Sequence, residues 1–240
     1  MDSKDKSIAI MQPYIFPYLG YFQLINAVDQ FIFYDDVTFI KGGWINRNNI
    51  LINKEKKLFT IPLDNPSSNK LICDTHVNRV LYHKWKKKFL KSLVQSYKKA
   101  PYFDEIFSLI NDVLSKSNDN LSQLALKSVI SVTRFLEMET IFSTSSVENF
   151  DSGHLNAQSR VIDMVQKNKG DVYINAIGGK ELYNKQVFKE NNLDLFFLKP
   201  ELKSYEQFDI DFIPGLSIID VLMFNSKEEC KRLLKSYQLV

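Results

Sequence analysis

The chain has 240 residues, of which 45% are hydrophobic and 25% charged, and 31 Lys+Arg against 28 Asp+Glu leave a formal net charge of +3. Such a composition excludes extensive disorder and sets up no field that would make nucleic acid the default partner, while the length suffices for one core and an enclosed site. Cys73 and Cys230 stand far apart with no Cys-x-x-Cys or Cys/His grouping, so neither a disulfide framework nor a zinc site is expected, and no cofactor motif is present.

The first residues, Met1 to Ser7, are charged and are followed by only four apolar residues, Ile8 to Met11. They have neither the apolar core of a signal peptide nor the length of a membrane span, and a cytoplasmic location is expected. The run from Ser7 to Pro13 reads as a buried strand stopped by proline, Leu19 to Val28 as a helix, and Gln30 to Asp36 as a second strand. Strand, helix, strand implies a parallel pair. Trp44 to Ile52 and Lys57 to Leu63, separated by Asn53-Lys54-Glu55-Lys56, predict a hairpin, and residues 65–69 a loop.

A helical region is predicted from about Asn78 to Leu136, with breaks near Pro101 and Ser117. Strands are then expected at Thr140 to Ser143, Asp171 to Asn175 and Leu193 to Leu198. Helices are expected at about Leu155 to Lys167, Lys180 to Glu190, Ser217 to Phe224 and Lys227 to Tyr237. This alternation predicts one α/β domain over 1–240: a mostly parallel sheet with helices on both faces, a β-hairpin extension and a helical insertion at about 78–136.

The densest polar and aromatic segment lies between the first strand and first helix and contains Gln12, Tyr14, Tyr18, Gly20 and Tyr21. Ligands of parallel sheets bind beyond the carboxyl ends of strands, where a helix start offers free N–H groups to an anion. The plainer alternative is a rigid aromatic turn. Tyr18-Leu19-Gly20-Tyr21 faintly resembles the His-x-Gly-His signature of nucleotidylyltransferases, but its phenols carry no positive charge for a transferring phosphate.

Asp35 and Asp36 end the second strand with side chains expected on opposite faces, so one of them is a candidate general base or magnesium ligand, though no second ligand cluster supports a metal, and the alternative is a strand-end turn. In Lys41-Gly-Gly-Trp-Ile-Asn-Arg-Asn48, Lys41 and Arg47 can clamp a phosphate or carboxylate, Trp44 can stack on a sugar or base, and Asn46 can read a hydroxyl. His76, His83 and His154 are too scattered for a catalytic dyad. The basic run from His83 to Lys91 can meet phosphates or acidic lipid, though such a run usually marks a solvated face. Gly178 and Gly179 follow a strand and can bring N–H groups to a phosphate, and Ser217 with Asp220 has capping-box spacing.

Taken together, the sequence resembles the WbqC-like family. The likeness is carried by Gln-Pro-Tyr, Pro-Tyr-Leu-Gly-Tyr-Phe, Asp-Asp-Val and Trp-Ile-Asn-Arg-Asn within residues 8–47. It continues through Gln95 to Phe103, Ser143 to Ser146, Tyr173, Gly178-Gly179, Tyr183, and Leu216 to Leu222. Departures fall at Thr38, where glutamine is expected, and Asn175, where a small residue such as serine is expected. The family is associated with O-antigen gene clusters, and a glycine-transferase role has been proposed for one member. The resemblance therefore implies a transferase that attaches glycine or a related acyl group to an amino sugar, on its nucleotide carrier or on a lipid-linked repeat.

By position, Gln12, Tyr14, Tyr18, Gly20 and Tyr21 would form one wall of the site. Lys41, Trp44, Asn46 and Arg47 would bind the anionic part of the substrate, and Asp36 would deprotonate the acceptor amine. Asp35, Tyr173, Gly178, Gly179, Ser217 and Asp220 complete the candidate substrate-binding set, without a metal. Alternatives are a nucleotide-binding or nucleotidyl-transfer enzyme and a non-catalytic scaffold of polysaccharide assembly. The expected partner is a nucleotide-linked amino sugar, with no DNA; an aminoacyl-tRNA donor and a homo-oligomer stay open.

Overall fold

The structure is a computed structural model, and it describes residues 5–115, 119–148, 150 and 155–240. His154 and the expected break at Ser117 lie outside the described residues.

The Ser7-Ile-Ala-Ile-Met11 run forms β1. It continues through α1 (Leu19–Asn26) to β2 (Gln30–Phe33), which lies parallel to it with Ile8 opposite Gln30. Apolar residues on both faces are what a central strand requires. Ile8, Ile10 and Ile32 pack into one cluster with Val161, Ile162 and Val165, whereas Ala9, Phe31 and Phe33 belong to the other, with Phe22 and Ile25 of α1.

After β2 the chain forms the hairpin of β3 (Arg47–Ile52) and β4 (Glu55–Thr60). Its turn is tighter than the sequence suggests, because Asn53 and Lys54 alone make it, with φ of 53° and 63°. Two left-handed residues in a row fit the right-handed twist of the flanking strands, at some strain for a lysine. Lys54→Gly is accordingly expected to stabilise the protein by about 1 kcal/mol in urea unfolding. A small ladder of β5 (Leu63–Asp64) and β6 (His76–Val77) follows.

The predicted helical region is α2 (Arg79–Tyr97), α3 (Phe103–Ser115) and α4 (Leu121–Phe135), with the first break at Pro101. The sheet then resumes with β7 (Ile141–Thr144), parallel to β2. Next come α5 (Ser145–Glu148), α6 (Ala157–Lys167) and β8 (Val172–Ala176), which pairs with the other side of β1. The expected helix over Lys180 to Glu190 divides into a 3-10 turn, Ile177–Leu182, and α7 (Lys185–Glu190), because Asn184 accepts from Gln186 N–H and starts a new helix there.

The chain ends with β9 (Asp194–Pro200), α8 (Ile218–Phe224), α9 (Lys227–Leu233) and β10 (Tyr237–Leu239). The expected helix to Tyr237 stops at Leu233. The buried amide of Gln23 donates to Leu233 O and Ser236 O, both at 2.8 Å, satisfying the carbonyls at the helix end, and β10 then joins β9 antiparallel. The sheet order is β10-β9-β8-β1-β2-β7. From β1 the chain moves one way to β2 and β7, then returns to build β8 on the opposite side, so the strand order reverses between β1 and β8.

Candidate functional site

A cavity of about 310 Å³ opens at that reversal, lined by the carboxyl ends of β1 and β8 through Met11, Gln12 and Ala176. Open α/β sheets bind ligands at this place because the two diverging connections leave a crevice. Tyr14, Tyr18, Gly20 and Tyr21 line it from the β1–α1 side, and Ile40, Gly43, Trp44 and Ile45 from the loop before β3. Trp44 is 50% exposed and Ile40 54%, which leaves a wide apolar rim open to a ligand. The Tyr14 ring stands edge-on to Tyr21 at 6.1 Å and 6.2 Å from Trp44, so three aromatics form a continuous wall.

The β1–α1 segment is fixed by unusual means. Phe16 adopts a φ of +39°, a strained value for an aromatic residue. Its carbonyl accepts from Asn48 Nδ2 at 2.6 Å and Ser217 Oγ at 2.7 Å, and its N–H donates to Ser128 Oγ at 2.9 Å. The Tyr21 hydroxyl donates to Gln12 O at 2.9 Å. Three distant elements thus hold the loop in one shape, leaving the Gln12 and Tyr14 side chains for the cavity.

At Gly20, a Cβ would lie 2.4 Å from the Tyr18 ring, so the missing side chain makes room for Tyr18, whose ring covers the start of α1. Gly20→Ala is expected to push that ring into the cavity and weaken ligand binding severalfold, with little change in unfolding midpoint, as calorimetry and a thermal melt would read. Burial raises the pKa of Tyr14, Tyr18 and Tyr21, so all three are neutral hydrogen-bond donors at physiological pH. Helix α1 begins without a side-chain cap: the Tyr21 N–H turns back to Tyr18 O at 3.1 Å and an antiparallel bridge joins Tyr18 to Ser217, so the backbone itself closes the helix start.

Arg47, half-buried at the start of β3, lies with its guanidinium 5.4 Å from the Trp44 ring centroid. It has no ion pair among the described residues, and its Nε–H is buried without an acceptor. An unpaired, partly desolvated guanidinium is costly to maintain without an anion to receive. Lys41 is exposed on the same loop. Asn46 lies apart from the cavity lining: it is 7% exposed and donates to Ile61 O at 2.9 Å, tying the loop to β4.

Asp35 and Asp36 sit at the end of β2 and do not line the cavity. Asp35 is 1% exposed and accepts from Ser122 Oγ at 2.6 Å and Ser146 N–H at 3.1 Å. Asp36 accepts from Ser145 Oγ at 2.5 Å and pairs with Arg160 Nη2 at 2.5 Å, and the same guanidinium rests 5.0 Å from the Tyr34 ring centroid. Asp36→Ala, which strands Arg160 with an 11% exposed side chain, is expected to cost about 3 kcal/mol in urea unfolding.

Tyr173 is buried and stacks on Phe188 at 5.6 Å. Its hydroxyl lies beside that of Tyr183 without a well-aligned hydrogen bond. Gly178 faces open space in the 3-10 turn, and at Gly179 a Cβ would meet the Asn175 amide at 2.2 Å. Ser217 caps α8 at Ile219 N–H, but its own N–H goes to Asn49 O, so no capping box forms with Asp220. The Asp220 carboxylate instead accepts from Tyr97, Tyr205 and Gln207 in the interior. Cys73 and Cys230 are free, and burial, aided by nearby carboxylates, pushes their thiols up to about 11 and about 12, which leaves no thiolate nucleophile at neutral pH. Among the described residues no group of three His, Cys, Asp or Glu could hold a metal ion, and no helix is long and apolar enough to cross a membrane.

Sequence reasoning passed over Ile40, Asn48, Ser128, Arg160 and Ala176. Arg160 carried no local signal, being 124 residues from its partner Asp36. Asn48 stood inside the Trp-Ile-Asn-Arg-Asn run, where only the fold distinguishes it from Asn46.

The model of the WbqC-like protein family matches residues 12–232, a span that includes every residue of the cavity except Met11. An uncharacterized protein of Mycobacterium tuberculosis, Rv1507c, is 27% identical over 233 residues, covering 96% of this chain and 98% of its own length. No solved structure matches significantly.

Proposed function

This chain belongs to the WbqC-like protein family, and from that premise we propose that it is a transferase of surface-polysaccharide biosynthesis, moving glycine or a related acyl group onto an amino sugar. The observation that carries the reading is the aromatic cavity between β1 and β8, with Arg47, which lies outside the lining against the Trp44 ring and has no ion pair among the described residues, as the nearby cation. An apolar wall with a few convergent donors suits a small ligand that has a flat or sugar-like body and an anionic tail. Trp44 and Tyr14 would take the body, while Arg47 and Lys41 would take the phosphate or carboxylate.

In the reaction the amine nitrogen attacks the acyl carbonyl, the donor's leaving group departs with its bonding electrons, and the proton lost by the amine passes to the departing group or to water. Tyr14 and Tyr18, as neutral phenols at the cavity, are suited to donate hydrogen bonds to the carbonyl oxygen as charge develops. Asp36, expected from sequence to take the proton, orders Arg160 and the end of β2 in this reading. A cytoplasmic location, a single domain and a nucleotide-linked acceptor belong to the same proposal.

The position of the cavity, where open sheets commonly bind nucleotides, also favours a second reading as a nucleotide-binding enzyme without acyl transfer. Calorimetry with nucleotide-linked amino sugars tests the shared claim. Trp44→Ala is expected to weaken binding about tenfold through loss of stacking, and an unchanged affinity would remove the cavity from the site.

A further inference from the structure

Helix α2 concentrates the chain's positive charge. Residues 79–99 hold eight Lys or Arg and no Asp or Glu, so against a net +3 for the whole chain the remainder is acidic. The helix turns its apolar side inward: Tyr82, Phe89, Leu93 and Tyr97 are buried, and Trp85 stacks on Phe89 at 5.0 Å. Its other side presents Val80, Lys84, Lys87, Lys91, Gln95 and Lys98, all exposed. Steps of three and four align them in one stripe about 28 Å long.

No lysine of this helix makes an ion pair among the described residues. A merely solvated helix commonly alternates signs at i and i+4, whereas here Lys84 faces Lys88 and Lys87 faces Lys91, which weakens an isolated helix. The charge is therefore maintained against a local cost, as a surface that receives anions would be.

The two ends of the stripe indicate what it receives. At the N-terminal end Val80 is 71% and Leu81 50% exposed. At the C-terminal end lies a cavity of about 530 Å³ with Leu51, Val94 and Phe208 among its walls and Lys54, Lys98 and Lys99 around it. Lys54 has only a 3.9 Å contact to the fully exposed Asp209. Cations beside open aliphatic surface match the boundary of an anionic bilayer, where phosphates meet acyl chains. Single-stranded nucleic acid would use exposed aromatics for stacking, and those of α2 are turned inward.

We propose that the exposed face of α2 docks the protein on an anionic phospholipid surface, with a headgroup phosphate received between Lys54, Lys98 and Lys99. The docking is independent of the acyl-transfer reading and survives its failure.

The test is sedimentation of the full chain with vesicles of pure phosphatidylcholine or of phosphatidylcholine mixed with phosphatidylglycerol, at low and raised salt. Wild type is expected to sediment with the mixed vesicles alone and to be released by salt. Each lysine near such a surface is worth about fivefold in partition, so K84E/K87E/K91E should lose at least a hundredfold. K189E/K199E/K203E, which makes the same charge change on α7, β9 and the segment after β9, should bind as wild type does, and V80S/L81S should weaken binding without changing its salt dependence. Circular dichroism of each variant separates lost binding from lost fold. Equal loss in both lysine variants, binding to neutral vesicles, or tighter capture by duplex RNA than by mixed vesicles would each overturn the proposal.

Discussion

Asp220→Ala is expected to lower the unfolding free energy by about 4 kcal/mol, measured by urea titration. Asp220 is fully buried and has no cationic partner among the described residues. It accepts from Tyr97 Oη at 2.8 Å, Tyr205 Oη at 2.7 Å and Gln207 Nε2 at 2.6 Å, and the Tyr97 hydroxyl in turn accepts from Leu51 N–H at 2.8 Å. One carboxylate thereby joins α8, α2, β3 and the segment after β9. Truncation leaves the Tyr97 and Tyr205 hydroxyls without an acceptor, while Gln207 Nε2 keeps Ile213 O at 3.3 Å, and it opens a cavity, two of the few routes to a large single-site loss.

The same residue predicts a pH dependence. Burial raises the Asp220 carboxyl above its ordinary 3.8, and the bonds from Tyr205, Gln207 and Tyr97 pull it only partly back. A carboxyl with a raised folded pKa contributes stability that is fully present below the unfolded value and is lost as pH rises through the folded one. The stability gap between wild type and Asp220→Asn, which cannot titrate, should therefore widen as pH is lowered from neutrality. A gap that narrows would mean that the hydrogen bonds outweigh burial.

Arg47→Ala is expected to reduce affinity for a nucleotide-linked amino sugar roughly thirtyfold, about 2 kcal/mol, with a smaller effect on stability. The residue has no ion pair to lose among the described residues, so its removal should cost the protein little beyond its packing on Trp44. Arg47→Lys keeps the charge but not the planar fork, and an intermediate affinity is expected if two oxygens are bound at once. Equal affinities for wild type and Arg47→Ala in calorimetry would place the anion elsewhere.

The parallel opening was legible because Ile8, Ala9 and Ile10 are apolar in succession and Pro13 ends the run, leaving few options besides a buried strand. Gln12, Tyr14, Tyr18, Gly20, Tyr21 and Trp44 were legible as a group for a related reason: polar and aromatic residues crowd the first strand-to-helix connection and the loop before the hairpin. What sequence could not convey was which contacts close over distance. The Asp36–Arg160 pair, the three side chains that hold Phe16, and the Gln23 amide that ends α9 all join segments more than 30 residues apart. The reversal between β1 and β8 likewise emerges only from strand order. Asp36 read as an open carboxylate because its cation lies in a helix whose facing could not be known from the local pattern.

The most direct measurement is mass spectrometry of the surface polysaccharide from a deletion strain complemented with wild type, Arg47→Ala or Trp44→Ala. The deletion and both variants are expected to lose one aminoacyl or acyl substituent from an otherwise complete repeat, while wild type restores it. A repeat that is truncated, or unchanged in every strain, would contradict acyl transfer at the β1/β8 cavity.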